Sequence, residues 1–405
     1  MTLIEKKMPR TVWALGFVSL LMDMSSEIVH GLLPVFLISA LGANYSMVGI
    51  IEGLGEASAL ILKVFSGPLS DWLGKRKPLI LLGYAMGAIS KPLFAVAPTP
   101  FMVLGARLFD RSGKGIMGAP RDALVADTAP PELRGEAFGL RQSLDTVGAF
   151  LGPLVAILLM SVTGGNYRLI FWFAVIPGFL SVVVLLFGVK EPEAKQTNDQ
   201  KRLSWSAVRE FPSIFWIVIV AGAIFQLARF SEAFLILRAK DLGLSLALTP
   251  AVLVAMNIVY ALSAYPVGWL SDRIRREWLV LSGFVVLIFA DFALGFGSNL
   301  THVFLGILLW GFHMGLSQGI LAALVADTSP ASYRGTAYGL FNLLSAGALL
   351  LASGIAGVLW DQFGPKLTFI ASAAFSLAGL LVLGLVYGFK RQLFGPVDQN
   401  PKEGS

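Results

Sequence analysis

The sequence predicts an all-α membrane protein of twelve transmembrane helices in two parallel six-helix bundles. Three observations predict it. Apolar stretches of spanning length, about 20 residues, recur twelve times along the 405-residue chain. Only 14% of the residues are charged and 56% are hydrophobic, whereas a soluble surface needs roughly a quarter charged. Finally, two long segments repeat at a fixed offset.

The first six apolar runs cover 12–41, 46–72, 78–97, 100–122, 136–162 and 168–189. The first is too long for the roughly 7–15-residue core of a cleavable signal, so it is read as a span. Residues 190–211 are polar and carry no spanning segment. Six further runs follow at 212–238, 247–271, 278–297, 301–324, 336–360 and 367–389. The expected organisation is an N-terminal bundle over 1–190, a linker over 191–211, a C-terminal bundle over 212–390 and a tail over 391–405.

Loop charge orients these spans. Lys and Arg cluster before the first run, at 75–77, in the linker, at 273–276 and in the tail, while the loops near 42–46, 97–100 and 297–302 carry none. By the positive-inside rule both termini and the linker are expected in the cytoplasm.

The repeat defines the halves. Asp122-Ala-Leu-Val-Ala-Asp127-Thr-Ala-Pro, followed by Arg134-Gly-Glu-Ala-Phe-Gly-Leu, returns as Ala322-Ala-Leu-Val-Ala-Asp327-Thr-Ser-Pro, then Arg334-Gly-Thr-Ala-Tyr-Gly-Leu. The offset is 200 residues, from Asp127 to Asp327 and from Arg134 to Arg334. Gly67-x-x-x-Asp71 matches Gly268-x-x-x-Asp272 at an offset of 201. Parallel repeats of this kind place a substrate site near the bilayer midplane, between the halves.

Composition and motifs exclude several function classes. The chain has no cysteine and only three well-separated histidines, so neither a disulfide scaffold nor a metal centre is expected. The net charge of +6 reflects cytoplasmic loops rather than nucleic-acid binding. Gly113-Lys114-Gly115 is not a phosphate-binding loop, and no Gly-x4-Gly-Lys-Ser/Thr pattern occurs. No cofactor and no catalytic centre is therefore expected. An ion gradient or the substrate's own gradient drives any transport.

The motifs carry a family resemblance. Gly67-Pro-Leu-Ser-Asp71-Trp-Leu-Gly74-Lys75-Arg76-Lys77 resembles the loop 2–3 signature of the major facilitator superfamily, with Trp72 where a basic residue usually stands. Arg107 resembles that family's membrane-embedded arginine. Gly139, Gly148, Gly152 and Pro153 are similar to the fifth-helix signature of drug/proton antiporters, although Ile157 and Leu158 replace its closing glycines. The resemblance implies a bacterial inner-membrane transporter working by alternating access, a monomer whose partners are a small-molecule substrate, protons and the lipid bilayer. It also implies gating roles at the cytoplasmic helix ends for Gly67, Asp71, Gly74, Lys75, Asp127, Arg134, Asp272 and Arg334.

Charges inside the spans are the other candidates, because each costs at least about 2.5–3.5 kcal/mol at the bilayer centre unless it faces protein or water. Asp23, Glu27 and His30 share one face of the first run, and Glu52 and Glu56 share one of the second. Asp23 and Glu27 lie one turn apart, and their mutual repulsion favours a proton on one of them. Together with Glu56 they are the proton-coupling candidates. Lys91, Arg107, Arg111, Lys114, Arg229 and Asn342 are the substrate-binding candidates. Plainer readings stand beside these. Glu52 is read as hydrated near the outer face, and His30 as a satisfied or wet histidine. Asp110 with Arg111, and Arg141 with Asp145, are read as neutralising pairs. The spacing of Gly148 and Gly152 is also that of a close-packing surface. Two transport hypotheses follow: proton-coupled export of amphipathic organic compounds, and movement of an organic anion through the basic first half.

Overall fold

The computed structural model describes residues 8–191, 211–271, 273–330 and 333–394. Asp272, nearly all of the linker and the end of the tail lie outside the described residues. The elements are α-helices apart from two single 3-10 turns. In the first half, α1 (Arg10–His30), α2 (Leu33–Ser39), α3 (Tyr45–Leu73), α4 (Lys77–Val96), α5 (Pro100–Thr128), α6 (Arg134–Val162) and α7 (Tyr167–Gly188) form six rods. In the second, α8 (Ser213–Ala228), α9 (Ala233–Asp241), α10 (Ala251–Ser271), α11 (Arg276–Phe296), α12 (Leu300–Thr328), α13 (Arg334–Phe363) and α14 (Pro365–Phe394) form six more.

Ten of these rods are long and apolar enough to cross a membrane by length and hydropathy. The other two, α3 and α5, are 29 residues each and carry most of the first half's buried charge. They lie alongside the apolar rods, where protein rather than lipid surrounds that charge.

Two rods are interrupted where the sequence predicts continuous runs. The first breaks at Gly31–Leu32, between α1 and α2, and the seventh breaks at Arg229–Glu232, between α8 and α9. Such breaks survive at membrane depth only where protein or a cavity satisfies the freed backbone. Here Ser372 Oγ reaches the Ala228 carbonyl at 2.6 Å, and Ser353 Oγ accepts the Ser231 amide at 3.2 Å.

The end of the molecule opposite the termini is built from caps. Asn44, Thr99, Asn166 and Asn299 each accept a backbone N–H in the first turn of α3, α5, α7 and α12, at 2.9–3.4 Å. Arg168 donates to the carbonyls of Ala95 and Ala97 at the end of α4. Arg238 does the same for Leu294 and Gly297 at the end of α11. A guanidinium is well placed there, against the negative end of the helix dipole.

Close helix crossings fall on glycines. A Cβ on Gly49 of α3 would collide with the Ser353 carbonyl of α13, and one on Gly357 would lie 2.6 Å from the Tyr45 carbonyl. The α3–α13 seam thus joins the halves backbone to backbone. Within the first half, Gly148 and Gly152 of α6 press on α1 at Leu20 and Glu27, while Gly139 faces open space. Those two glycines form the close-packing surface that their spacing allows.

Candidate substrate cavity and gates

A cavity of about 400 Å³ lies between the halves. From the first half, Glu27 and His30 enter it from α1, Glu56 from α3, and Arg111 and Lys114 from α5. From the second, Gln226, Arg229, Phe230 and Glu232 enter at the α8–α9 break, Asn257 from α10 and Gln318 from α12. The volume and mixed lining are those of a site for an organic molecule. The cavity sits where interrupted helices meet, and such breaks free backbone dipoles to face a ligand.

The first-half charges are organised into ion pairs behind this surface. Glu52 is not hydrated near the outer face, as its place early in the run suggests; it is fully buried and accepts from Arg107 at 2.6 Å. Its i+4 neighbour Glu56 pairs with Arg111 at 2.7 Å and reaches Arg107 at 3.5 Å. His30 bridges the acids, 3.5 Å from Glu27 and 3.8 Å from Glu52, so it is buried and partnered. Asp110 does not neutralise Arg111. It pairs instead with Lys91 at 2.6 Å and accepts from Ser90 at 2.8 Å. Lys91, also bonded to Ser26 at 3.1 Å, is 1% exposed and stands away from the cavity. Arg107 likewise lies behind the cavity wall. Lys114 is half exposed, with Asp23 as its nearest acid at 3.9 Å.

A second cluster ties α5 to α6 nearer the termini. Arg141 and Asp145 pair at 2.6 Å, as their i,i+4 spacing predicts. Arg121 approaches Asp145 at 3.9 Å and bonds Ser19 and Tyr84.

The second half is plainer, and the repeat shows why. At the offset of 200, Arg107, Asp110, Arg111 and Lys114 correspond to Ile307, Trp310, Gly311 and Met314. Trp310 and His313 pack edge to face with ring centroids 5.4 Å apart, where the first half holds ion pairs. What remains charged in this half's share of the cavity is Arg229 and Glu232. With the Gln318 amide oriented by its partners, its oxygen accepts from Arg229 at 3.0 Å and its nitrogen donates to Tyr260 at 3.1 Å. Asn342 lies on α13 outside the cavity lining. Gln226, Asn257 and Tyr260 are not legible in the sequence, since single polar residues on apolar helices carry no spacing signal.

Hydrogen bonds join the halves at one end of the bundle, and ion pairs within each half gather at the other. At the end away from the termini, Asp361 of α13 accepts from the amides of Tyr45 and Ser46 at 2.9 and 2.8 Å, and from the Ser46 hydroxyl. Tyr45 donates to Asp241 at 3.2 Å and stacks on Trp360 at 5.1 Å. Among the described residues these are the hydrogen bonds that cross between halves. An apolar core shared by Phe36, Phe234 and Trp360 lies beneath them. At the termini end, the described ion pairs stay within each half. Arg76 joins Asp71 and Asp127, the latter at 3.3 Å, and Arg276 joins Asp327. These pairs obey the same offset of 200. Arg76, rather than the exposed Lys75, is the basic partner here. Arg134 bonds the Ala126 carbonyl at 3.2 Å. Gly74 ends α3 in the left-handed region, φ 65°, which glycine adopts without strain. Gly67 lies one turn before Asp71. The Arg334 side chain lies outside the described residues.

Two repeated six-rod halves around one charged cavity, with the backbone buried in helices of membrane-spanning length, define a polytopic membrane transporter. The chain belongs to the Major Facilitator Superfamily, whose sequence profile matches residues 15–348 and, in a second register, 233–403. It is 34% identical over 391 residues to an uncharacterized MFS-type transporter of Methanocaldococcus jannaschii, covering 94% of this chain and 96% of that one. It is 25% identical over 390 residues to the quinolone resistance protein NorA of Staphylococcus aureus, covering 93% and 96%. Among solved structures it resembles the nucleoside transporter NupG, with a TM-score of 0.74 at 15% identity over 93% of this chain and 98% of that one.

Proposed function

We propose that this transporter is a proton-coupled antiporter that expels small amphipathic organic compounds by alternating access. It would lie in the bacterial inner membrane as a monomer with both termini in the cytoplasm. The observation that carries this reading is the cavity itself. Acids from both halves, Glu27, Glu56 and Glu232, face one space between repeats that are latched at one end. Asp23 lies beside it, 3.9 Å from Lys114. A carboxylate that alternates between a proton and a cationic partner is the element that coupling requires. The resistance protein NorA, similar along nearly the whole chain, supports the direction of transport. With cytoplasmic termini, closure at the far end corresponds to an inward-facing state. The termini-end pairs around Asp71, Asp127 and Asp327 then act as gates rather than substrate contacts.

Transport of an organic anion is the second reading. It rests on Arg229, whose hydrogen-bond partner in the cavity is the neutral Gln318, and on half-exposed Lys114. The paired state of Lys91, Arg107 and Arg111 weighs against it, because their charge is already matched within the first half.

The deciding experiment is substrate-driven proton flux in proteoliposomes. Asp23→Asn, Glu27→Gln and Glu56→Gln are compared with the parent. Loss of proton movement in at least one of them is expected. Intact coupled flux in all three removes these acids from the coupling role.

A further inference from the structure

The cavity lining separates into charges that are matched and charges that are not. Glu56 and Arg111 face the cavity but satisfy each other at 2.7 Å, so a ligand need supply nothing to either. Four others differ. Lys114 is 47% exposed, and its nearest carboxylate is 3.9 Å away. Within contact distance Arg229 has the Gln318 oxygen at 3.0 Å and the Phe225 ring at 5.9 Å, and its charged neighbour Glu232 acts on it without a hydrogen bond or ion pair. Glu27 has only an imidazole, at 3.5 Å. Glu232, at the α8–α9 break, has no side-chain hydrogen bond or ion pair among the described residues, and it lines the cavity. Two of these are basic and two acidic, and each half supplies one of each sign.

We infer that the preferred substrate is a zwitterion, an organic molecule carrying both an ammonium-type and a carboxylate-type group on an apolar body. The argument rests on the transport reading above and deepens it by naming the substrate class. A substrate bearing one charge relieves only half of these groups. When it displaces water, the two groups of its own sign are left desolvated and repelled, which is costly at a partly buried site. A zwitterion gives each side chain a partner of opposite sign. Its ammonium faces Glu27 and Glu232 and its carboxylate faces Lys114 and Arg229, so each end touches both halves and the molecule bridges them. Phe230, Leu60, Leu349 and Ala149 supply the apolar wall. The volume of about 400 Å³ excludes large macrocycles and admits a molecule of modest size.

Discrimination should be sharp, because polar groups left unpaired reject an analogue more strongly than a missing methylene does. Removing one charged hydrogen-bonding group weakens binding at least about tenfold.

The test uses purified full-length protein and thermal stabilisation against three size-matched panels of small organic compounds: zwitterions, monocations and monoanions. Each stabilising zwitterion is retested as its N-acetyl and its methyl-ester derivative. The expected result is that the strongest binders fall in the zwitterion panel and that either masking weakens them at least tenfold. Glu232→Gln should narrow the gap between a zwitterion and its N-acetyl form, and Arg229→Gln the gap between it and its ester. Strongest binding by a singly charged compound, no zwitterion binder at all, or indifference to masking would each overturn the inference. If a singly charged binder is then expelled with proton exchange from proteoliposomes, the antiport reading stands and only the substrate class falls. If a zwitterion binds but moves without proton exchange, the substrate class stands and the coupling falls.

Discussion

Asp361 provides the most direct handle on the conformational cycle. Its carboxylate, on α13 of the second half, accepts the amides of Tyr45 and Ser46 and the Ser46 hydroxyl. Those amides are orphan donors of the first turn of α3, which belongs to the first half. One side chain therefore caps a helix across the seam, and the cap exists only while this end is closed. Replacing a helix-capping acceptor by alanine costs about 0.5–2 kcal/mol, and the hydroxyl contact adds roughly 0.5–1 kcal/mol at an exposed position. The closed state should lose about 2 kcal/mol in Asp361→Ala, which moves the closed-to-open ratio about 30-fold. The chain has no cysteine, so a spin-label pair at Ser39→Cys and Ser245→Cys reports the gap by pulsed electron resonance without a background. Asp361→Ala should raise the long-distance population, and Asp361→Asn should raise it less because an amide oxygen still accepts. An unchanged distance distribution in a folded Asp361→Ala protein would refute the latch.

Three further outcomes follow from the same geometry. Glu52→Gln should destabilise the protein in detergent by about 1.5–3 kcal/mol, because it removes the nearer charge facing buried Arg107 and leaves Glu56 at 3.5 Å; Glu52→Leu combined with Arg107→Met should recover most of that loss in a thermal-melt comparison. Gly49→Val should prevent closure of the α3–α13 seam and leave the labelled gap wide, and a normal closed distance would show that the crossing can yield. Asp71→Asn, Arg76→Gln and Arg276→Gln should slow transport while leaving the substrate Kd within about threefold, measured by stopped-flow flux beside equilibrium binding; a large loss of affinity would place these residues in the site instead.

Much of the architecture was legible because the bilayer imposes a length scale and the chain states its pattern twice. Run boundaries and helix ends agree to within a few residues at most positions, as between 46–72 and Tyr45–Leu73. The offset that matches Asp127 with Asp327 also relates their partners Arg76 and Arg276, but those pairings appear only in the structure, the sequence pointing to Lys75 instead. Charge partners inside the bundle were not legible in this way. Asp110 and Arg111 are neighbours in sequence, but consecutive residues on a helix point about 100° apart. The carboxylate therefore meets Lys91 of α4, and the guanidinium meets Glu56 of α3. The burial of Glu52 depends on Arg107 arriving from another helix, which no local pattern encodes. The interruptions at Gly31 and Arg229 leave no trace in the hydropathy pattern, which averages over a broken rod as readily as over a straight one.

The glycine seam between α3 and α13 has a mechanical consequence. At Gly49 and Gly357 main chain meets main chain, with no intervening layer of side chains that could change rotamer and take up slack. Sliding one helix along the other would drive a neighbouring Cβ into a carbonyl within a single residue step. Translation should therefore cost more than rotation about the contact. In any rocking of the halves the seam would serve as an axle, with a bearing surface set by the absence of side chains. On the alternating-access proposal, the swing of the two halves would be limited at one end by the Asp361 cap and at the other by the arginine–aspartate pairs at Asp127 and Asp327.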